Sequence, residues 1–168
     1  MKTIIPADFP DLPRILPVYE RARTFMAANG NASQWGSSYP QKELLEDDIR
    51  KKQLYLLQDD TGNIAAVFVF YIGEDPNYKI IEDGCWPDER PYGVIHRIAS
   101  SGLIRCAADD CIRWCLEQCR RSDASLRGDT HENNLPMQHV FERNGFSRCG
   151  IVYMADHTPR IAFQKDLT

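Results

Sequence analysis

Apolar residues recur along the chain in two patterns, which predict strands and helices. Short apolar or alternating runs predict strands, because successive side chains on a strand point to opposite faces. The predicted strands are 3–6, 54–57, 64–72, 93–99, 124–129, 150–154 and 160–165. Apolar residues spaced three and four apart predict helices. The predicted helices are 8–29, a second that begins near Pro40, 105–120 and 135–144.

The order of these elements predicts the fold class. Strands alternate with helices in the middle of the chain and hairpins lie at both ends, which is typical of a mixed α/β sheet with helices on both faces. Because the sequence has no repeat, low-complexity tract or linker, the whole chain, 1–168, is predicted to be one domain. The segment 73–91 is predicted to be irregular, with Tyr78 and Trp86 exposed.

The first helix carries local signals at its ends and in its interior. Asp8 is a candidate N-cap, and Asn29 with Gly30 is a typical C-terminal stop. Pro17 is expected to kink this helix or to delay its beginning, because proline lacks the N–H that an interior position needs.

The composition is that of an ordinary globular protein, and its charge argues against some partners. A chain of 168 residues suits a single core. The formal net charge of −4 and the pI near 5.6 argue against binding to nucleic acid. The sequence shows neither the apolar run of a secretion signal nor the roughly 20 apolar residues of a membrane-spanning helix. We therefore expect a cytoplasmic protein with no nucleic-acid or membrane partner.

The six cysteines have the spacing of neither a metal site nor a disulfide framework. There is no Cys-x-x-Cys pair and no quartet of Cys and His at zinc-site spacing. Cys111, Cys115 and Cys119 recur every four residues and are predicted to form a buried stripe on one helix. We expect all six to be reduced thiols and no metal to be bound.

Two segments, 93–119 and 134–146, carry the candidate chemistry. In the first, a strand and a short loop lead into a helix, whose first N–H groups and positive dipole end can bind a phosphate or pyrophosphate. Every strand–loop–helix unit has such an end, so this signal alone is weak. The second segment adds a spacing of four features: Asn134, Met137, Phe141 and Gly145–Phe146.

The spacing in the second segment resembles that of the GNAT superfamily of N-acetyltransferases, in which an Asn opens a helix and an aromatic residue precedes Gly-Phe. The loop before the third helix is similar to the family's Q/R-x-x-G-x-G/A loop. The order of elements and the segments 96–99 and 129–131 also resemble a bacterial branch of small-molecule or protein N-acetyltransferases. The resemblance implies a GNAT-like (α+β) fold with a mixed, largely antiparallel central sheet. It also implies transfer of an acetyl group from acetyl-CoA to a primary amine.

The resemblance further implies which residues bind the acetyl-CoA cosubstrate. The backbone of Ile98 would hold the thioester end, the loop would hold the pyrophosphate, and the second segment would flank the pantetheine arm. These positions are Ile98, Ala99, Leu103, Ile104, Arg105, Cys106, Ala107, Ala108, Asn134, Met137 and Phe141.

Three of these positions depart from the family pattern. Leu103 stands where Gln or Arg is usual. Cys106 stands where a Gly is usual, and we expect it to adopt a helical conformation and to crowd the pyrophosphate without backbone strain. Arg105 can offset the crowding with a charge-assisted contact. Phe141 stands where many relatives have a Tyr that protonates the coenzyme A thiolate. A thiol pKa of about 8.5 makes the thiolate a tolerable leaving group, and Tyr92 or Tyr153 can serve as the acid.

His96 is the candidate general base. An alkylammonium group with a pKa near 10.4 requires roughly 4 kcal/mol to expose its lone pair at pH 7, so a base is needed directly or through water. Positions 92, 94, 96 and 98 are predicted to share one strand face, which would direct His96 and Tyr92 towards the acceptor. A sheet histidine bonded to a neighbouring carbonyl is the alternative. Arg97, on the opposite face, is expected to form an ion pair.

The acceptor is defined only as a small-molecule or peptide amine. The resemblance implies that Asp129 and His131 complete the acceptor pocket and that Gln34 and Trp35 form its lid. The alternatives are helix capping for Asp129, a solvated loop for His131, and a core Trp beside a surface Gln. A homodimer is left open. The alternative function is a protein of the same fold that binds acetyl-CoA, for instance as a sensor, with little turnover.

Overall fold

The computed structural model describes residues 1–167, and every predicted helix and strand is present among them. The strands are β1 (Thr3–Pro6), β2 (Leu54–Gln58), β3 (Ile64–Ile72), β4 (Tyr92–Ser100), β5 (Ser125–Thr130), β6 (Ser147–Tyr153) and β7 (Pro159–Lys165). The helices are α1 (Leu12–Ala28), α2 (Lys42–Arg50), α3 (Ala107–Arg121) and α4 (Leu135–Arg143).

The strands form one sheet in the order β1-β2-β3-β4-β5-β7-β6. The pairs β1–β2, β2–β3, β5–β7 and β6–β7 are antiparallel, whereas β4 and β5 are parallel. The predicted mixed, largely antiparallel α/β fold is therefore confirmed. The parallel register covers three positions and ends at Val94 opposite Arg127, so both strands run on past the point where they pair.

Backbone contacts divide the described residues into two compact units that interleave along the chain. The first unit contains Met1–Phe70 and Arg97–Trp114, and the second contains Tyr71–His96 and the chain from Cys115 onward. Strands β3 and β4 and helix α3 each pass from one unit into the other. That the chain acts as a single domain stays a prediction.

An aromatic cluster lies in the core of the first unit. Trp114 of α3 packs edge-on against Phe68 and Phe70 of β3, at ring-centroid distances of 5.8 and 5.6 Å. Tyr55 of β2 lies 4.7 Å from the same indole. The first seven residues of β3 are all buried, which explains why this strand is a continuous apolar run in the sequence instead of an alternating one. Burial of each large apolar side chain contributes about 1.5–3 kcal/mol.

Three phenylalanines pack together in the core of the second unit. Phe141 of α4 stacks on Phe163 of β7 with 4.7 Å between the ring centroids, and it packs against Phe146 at 4.9 Å. Gly128 of β5 lies directly beneath the Phe141 ring, because a Cβ at this glycine would be 2.7 Å from the ring. A side chain at position 128 would therefore push α4 away from the sheet.

The exposure predicted for the segment between β3 and β4 is wrong. Tyr78 is only 2% exposed and packs with Val94 and Val152 in the second unit. Trp86 is half-buried, and its Nε1 donates a hydrogen bond to the Tyr78 carbonyl at 2.9 Å. The segment lacks regular strand or helix structure, yet it covers part of the core, and local composition does not indicate this.

The first helix begins later than the sequence indicated. Asp8 caps a 3₁₀ turn, Phe9–Asp11, whose Asp11 carboxylate accepts a hydrogen bond from the Asp8 N–H at 2.9 Å. Helix α1 follows directly at Leu12 and continues through Pro17, so the proline does not delay its beginning.

Neither α1 nor any other helix within residues 1–167 is long and apolar enough to cross a membrane.

The cysteine stripe lies on α3 as predicted, since Cys111, Cys115 and Cys119 are all buried. Burial raises the pKa of Cys111 well above its usual value and raises that of Cys119 to about 11. Cys85 and Cys106 are exposed, and all six cysteines are free thiols in the structure. Among residues 1–167, no group of three His, Cys, Asp or Glu side chains is arranged to hold a metal ion.

We expect the two exposed thiols, Cys85 and Cys106, to react fast in the native protein and all six to react after denaturation. The thiolate is the reactive form, and burial raises the pKa of Cys111, Cys119 and Cys149. Cys115 is buried and therefore inaccessible to the reagent. The measurement is thiol titration of reduced, purified protein before and after addition of guanidinium, with Cys85→Ser and Cys106→Ser each expected to remove one fast thiol. Fewer than six thiols after denaturation, or stoichiometric zinc, would contradict the predictions of reduced cysteines and no metal.

Candidate active site

The candidate active site lies in the second unit, where β4 and β5 stop pairing. Val94 of β4 lies opposite Arg127 of β5 at the last paired position. A side chain two residues further along a strand points to the same face as its predecessor. The register therefore brings His96 and Asp129 close together, with 3.7 Å between His96 Nδ1 and Asp129 Oδ2.

His96 lies between two carboxylates. Its Nε2 is 2.6 Å from Oδ2 of Asp75, which belongs to the segment between β3 and β4. This is a short hydrogen bond to a carboxylate, whereas the distance of 3.7 Å from Nδ1 to Asp129 is too long for one. The His96 side chain is 20% exposed and those of Asp75 and Asp129 are 7% and 8% exposed, so the imidazole is the accessible member. His96 thus bonds a carboxylate instead of the neighbouring carbonyl considered from the sequence.

Asp75 is fixed in place from several sides. Its Oδ1 accepts a hydrogen bond from the Asn77 N–H at 2.8 Å, which caps a 3₁₀ turn, and its own N–H donates to the Tyr92 hydroxyl at 2.9 Å. The Tyr71 hydroxyl donates to Oδ2 at 3.3 Å. Burial raises the pKa of Asp75, but the hydrogen bonds from His96, Asn77 and Tyr71 outweigh burial, and the pKa lies below its usual value. Asp75 is therefore ionised near neutral pH.

Asp129 is held by a buried tyrosine. The Tyr78 hydroxyl donates a hydrogen bond to Asp129 Oδ2 at 2.6 Å. Burial and the adjacent carboxylate keep the pKa of Tyr78 well above its usual value, so its hydroxyl remains the donor. The other oxygen, Asp129 Oδ1, accepts no hydrogen bond from residues 1–167.

Stacked side chains anchor the segment that supplies Asp75 and Tyr78. The Arg127 guanidinium of β5 lies 4.0 Å from the ring centroids of both Trp86 and Tyr92. Such cation–π contacts are strongest where water is excluded, and Arg127 is only 4% exposed. The stack therefore ties the irregular segment to the sheet beside His96.

The two tyrosines considered as acids lie in different environments. The Tyr92 hydroxyl belongs to the His96 cluster, where it accepts the Asp75 N–H. Tyr153 lies on β6, and its hydroxyl donates to Glu82 at 3.0 Å, a bond that raises the Tyr153 pKa. Tyr153 therefore stands outside the hydrogen-bonded cluster that contains His96.

The other residues considered for the acceptor pocket, His131, Gln34 and Trp35, each have local contacts of their own. The His131 ring accepts a hydrogen bond from the Asn133 N–H at 3.0 Å, and burial with the charge of Arg160 lowers its pKa. In the first unit, Gln34 Oε1 accepts a hydrogen bond from Asn31 at 2.8 Å. Trp35, also in the first unit, packs against two tyrosine rings at 5.8 and 6.2 Å. Their roles in an acceptor pocket stay predictions.

The predicted coenzyme residues of the second unit are the N-cap of α4 and two residues within that helix. Asn134 is the N-cap of α4, and its Oδ1 accepts a hydrogen bond from the Met137 N–H at 3.2 Å. Phe141 is 1% exposed and belongs to the phenylalanine cluster. It therefore presents neither a hydroxyl nor an exposed surface.

The loop before α3, in the first unit, is held by serine hydroxyls. Ser100 and Ser101 accept hydrogen bonds from the N–H groups of Gly102 and Leu103 at 3.2 and 3.3 Å. Within the part of the chain that the structure describes, no N–H group from Ile104 to Ala108 donates a hydrogen bond of normal geometry. These unpaired donors at a helix N-terminus are what an anion requires.

The helical conformation expected for Cys106 is wrong. Its φ is 58°, in the left-handed region that glycine adopts freely and that costs other residues about 1–2 kcal/mol. The Cys106 carbonyl accepts the Asp109 N–H at 3.1 Å, so the residue forms the turn into α3. A glycine at this position would therefore relieve strain as well as crowding.

Arg97 forms the ion pair expected for it. Its Nη2 lies 2.7 and 2.6 Å from the two carboxylate oxygens of Asp48, within the first unit. The φ of Arg97 is 48°, so a left-handed residue interrupts the extended backbone directly after His96. The strict alternation predicted for 92, 94, 96 and 98 is thus broken before Ile98. The coenzyme role of Ile98 and the buried Ala99 stays a prediction.

Sequence reasoning missed Asp75 and Tyr78. Both belong to the segment predicted to be irregular, and neither matches a motif. The one local signal is Asp75 before Pro76, which is typical of a capped turn. That signal indicates nothing about His96, which lies 21 positions further along the chain.

The structure resembles solved GNAT acetyltransferases over almost its whole length. A GNAT-family acetyltransferase from Streptococcus agalactiae is 29% identical, with a TM-score of 0.82 over 98% of this chain and 95% of that chain. A Staphylococcus aureus protein assigned as an acetyltransferase is 26% identical, with a TM-score of 0.73 over 99% of each chain. The NatC complex, solved with a Gag peptide and CoA, shares the fold at 15% identity and a TM-score of 0.64 over 99% of each chain. No family model and no curated protein matches the chain.

Fold, element order and sequence identity agree, and the chain resembles GNAT-family acetyltransferases over nearly its whole length. The family resemblance indicated by Asn134, Phe141 and Gly145–Phe146 is thereby confirmed. The amine acceptor and the roles of individual residues are separate questions.

Proposed function

We propose that the protein transfers the acetyl group of acetyl-CoA to a primary amine, on a small molecule or a peptide, by direct attack of the amine on the thioester. The observation that carries the proposal is His96 of β4, which lies between the carboxylates of Asp75 and Asp129. The chain that contains this site resembles a GNAT acetyltransferase over almost its whole length. NatC, which has the same fold, was solved with CoA, and this supports acetyl-CoA as the cosubstrate.

In the proposed reaction, His96 takes the proton that the amine must lose. The ammonium group first gives one proton to His96, which passes it to solvent. The neutral nitrogen then forms a bond to the carbonyl carbon, the C–S bond breaks, and the second proton lost from nitrogen goes to the thiolate, which gives an acetamide, free coenzyme A and one released proton. Deprotonation of an ammonium group with a pKa near 10.4 costs roughly 4 kcal/mol at pH 7, and a positioned base lowers this barrier. The unpaired Asp129 Oδ1 would bind the incoming ammonium group before it loses its proton.

The loop before α3 would bind the pyrophosphate of the cosubstrate. The N–H groups from Ile104 to Ala108 make no hydrogen bond of normal geometry among residues 1–167, and Arg105 is exposed beside them. Two carboxylates in the first turn of α3, Asp109 and Asp110, oppose an anion, although Lys2 neutralises Asp110 at 2.6 Å. The charge of Arg105 is therefore expected to contribute to binding.

Cys106→Gly should raise the melting temperature and bind acetyl-CoA at least as tightly as the wild type. Glycine avoids the left-handed strain of about 1 kcal/mol and leaves the phosphates more room. Cys106→Glu should weaken binding about fivefold or more, because a carboxylate would lie beside the phosphates. The measurement is calorimetric titration of acetyl-CoA, with melting curves as the folding control. Equal affinities of the wild type and Cys106→Glu would contradict this placement of the pyrophosphate.

A protein that binds acetyl-CoA with little turnover is the second candidate. Phe141 favours it, because a buried phenyl ring stands where many relatives have the hydroxyl that protonates the thiolate. Turnover distinguishes the two candidates: a panel of amino acids, polyamines, aminoglycoside-like amines and peptides is incubated with acetyl-CoA, and free thiol is measured. Thiol release with one of these amines supports the enzyme, whereas acetyl-CoA binding without thiol release supports the sensor. Absence of acetyl-CoA binding refutes both.

A further inference from the structure

Asp75 makes the shortest side-chain contact of His96. Its Oδ2 lies 2.6 Å from Nε2, and the Asp75 side chain is 7% exposed. Three further groups restrain it: the Asn77 N–H on Oδ1, the Tyr71 hydroxyl on Oδ2, and the Tyr92 hydroxyl on its own N–H. A carboxylate restrained in this way meets the imidazole in one orientation.

The charge of Asp75 decides which nitrogen of His96 carries the hydrogen. An ionised carboxylate only accepts hydrogen bonds, so Nε2 must be the donor. A neutral imidazole carries one hydrogen, and its lone pair therefore lies on Nδ1. Nδ1 accepts no hydrogen bond from the residues that the structure describes, because its neighbour Asp129 is an acceptor at 3.7 Å.

We propose that Asp75 is a positioning residue that holds His96 with its hydrogen on Nε2, so that Nδ1 is the nitrogen that takes the proton from the amine. This proposal rests on the acetyl transfer proposed above and assigns the atoms of its proton step. The N–H bond of the amine breaks, its proton moves to Nδ1, and Asp75 stays ionised throughout.

The arrangement also stabilises the protonated imidazole that this step produces. The new N–H on Nδ1 would face Asp129, while Nε2 keeps its hydrogen bond to Asp75. The other titratable groups around the ring are Tyr78 and Tyr71, whose rings lie 5.9 and 6.4 Å from the imidazole. After the proton transfer, each N–H of the ring would therefore face a carboxylate.

Asp75→Asn separates positioning from structural support. Asn caps a turn as well as Asp does, so the variant keeps an oxygen that can accept the Asn77 N–H. The substitution removes the charge, however, and the new amide can donate to Nε2, which favours the opposite tautomer of His96. We expect kcat/KM to fall about 10- to 100-fold, with acetyl-CoA affinity and melting temperature close to those of the wild type. Glu74→Gln, an exposed carboxylate one residue earlier, is the matched control and should keep the wild-type rate.

Nitrogen NMR of histidine-labelled protein without acetyl-CoA reads the tautomer directly. The wild type is expected to show the neutral His96 ring with its hydrogen on Nε2, and His96→Gln identifies the signals by their loss. Asp75→Asn is expected to show the opposite tautomer or a mixture. A hydrogen on Nδ1 in the wild type, or an unchanged tautomer in Asp75→Asn, overturns the proposal.

These measurements distinguish failure of this proposal from failure of the proposed function. If no amine releases thiol, the proposed acetyl transfer is refuted, and no reaction remains for Nδ1. The NMR measurement still decides how Asp75 orients His96. If the wild type releases thiol and the rate of Asp75→Asn stays within about threefold of the wild-type rate, the proposed acetyl transfer is supported and the positioning role of Asp75 is refuted.

Discussion

Replacement of His96 by Gln is expected to lower kcat/KM at least about 100-fold with a productive amine. The Gln amide can donate a hydrogen bond to Asp75, so the buried carboxylate keeps a partner. Gln cannot take up a proton, however, and the reaction loses its base. Acetyl-CoA affinity should stay close to that of the wild type, because the lost interaction concerns the transition state. The measurements are initial rates of thiol release across a pH series and calorimetric titration of acetyl-CoA.

His139→Gln is the matched control for this substitution. His139 is exposed on α4, and its loss should change neither the rate nor the pH profile. Melting curves of both variants show whether they remain folded. A rate for His96→Gln equal to that of the wild type would assign the base to water, Asp129 or Glu82 and leave His96 with a structural role.

The sheet was predictable because local pattern and tertiary environment agree along most strands. In β3 the unbroken apolar run from Ile64 to Phe70 corresponds to complete burial. The three cysteines of α3 share a spacing of four residues, and all three are buried. In α3 the spacing of four residues determines the buried face, and in β3 the unbroken apolar run indicates burial on both faces; the sequence contains both patterns explicitly.

The candidate site was predictable only in part. His96 could be selected because it shares one face of the predicted strand 93–99 with Tyr92, and Asp129 because it lies at the end of the next predicted strand. Their separation of 3.7 Å depends on the parallel register of Val94 with Arg127. Register arises from pairing between distant segments, and a single strand does not contain that information.

The irregular segment between β3 and β4 hid the remaining partners of the site. Tyr78 looked like a loop residue, yet it is buried because stacking of Trp86 and Tyr92 on Arg127 holds the segment against the sheet. Asp75 reaches His96 for the same reason. Tertiary contacts of this kind override the polar composition from which exposure was predicted.

Backbone conformation was the other limit. Cys106 and Arg97 both have left-handed φ values, 58° and 48°. Neither residue type favours that region, so nothing local indicates it. Cys106 lies in the turn into α3, and Arg97 forms the buried ion pair with Asp48. The pair with Asp48 joins residues distant in sequence, which the local sequence does not show.

The second large effect concerns stability and arises from this ion pair in the first unit. The Asp48 side chain is 5% exposed, and both of its oxygens contact Arg97 Nη2. The Tyr39 hydroxyl accepts a weaker bond from Nη1 at 3.3 Å, and Arg97 Nε has no hydrogen-bond partner among residues 1–167. Asp48 is therefore the main group that compensates a largely buried guanidinium.

Asp48→Ala is expected to lower the free energy of unfolding by about 3–5 kcal/mol, because it leaves the Arg97 charge buried without its counter-charge. Asp47→Ala removes the neighbouring carboxylate, which forms an exposed pair with Lys51 at 2.7 Å, and should change stability very little. Urea unfolding followed by tryptophan fluorescence measures both. The double variant Asp48→Leu/Arg97→Met should recover much of the loss, since an apolar pair of similar volume needs no counter-charge. Equal losses for Asp47→Ala and Asp48→Ala would show that the buried pair stabilises the fold no more than a surface pair does.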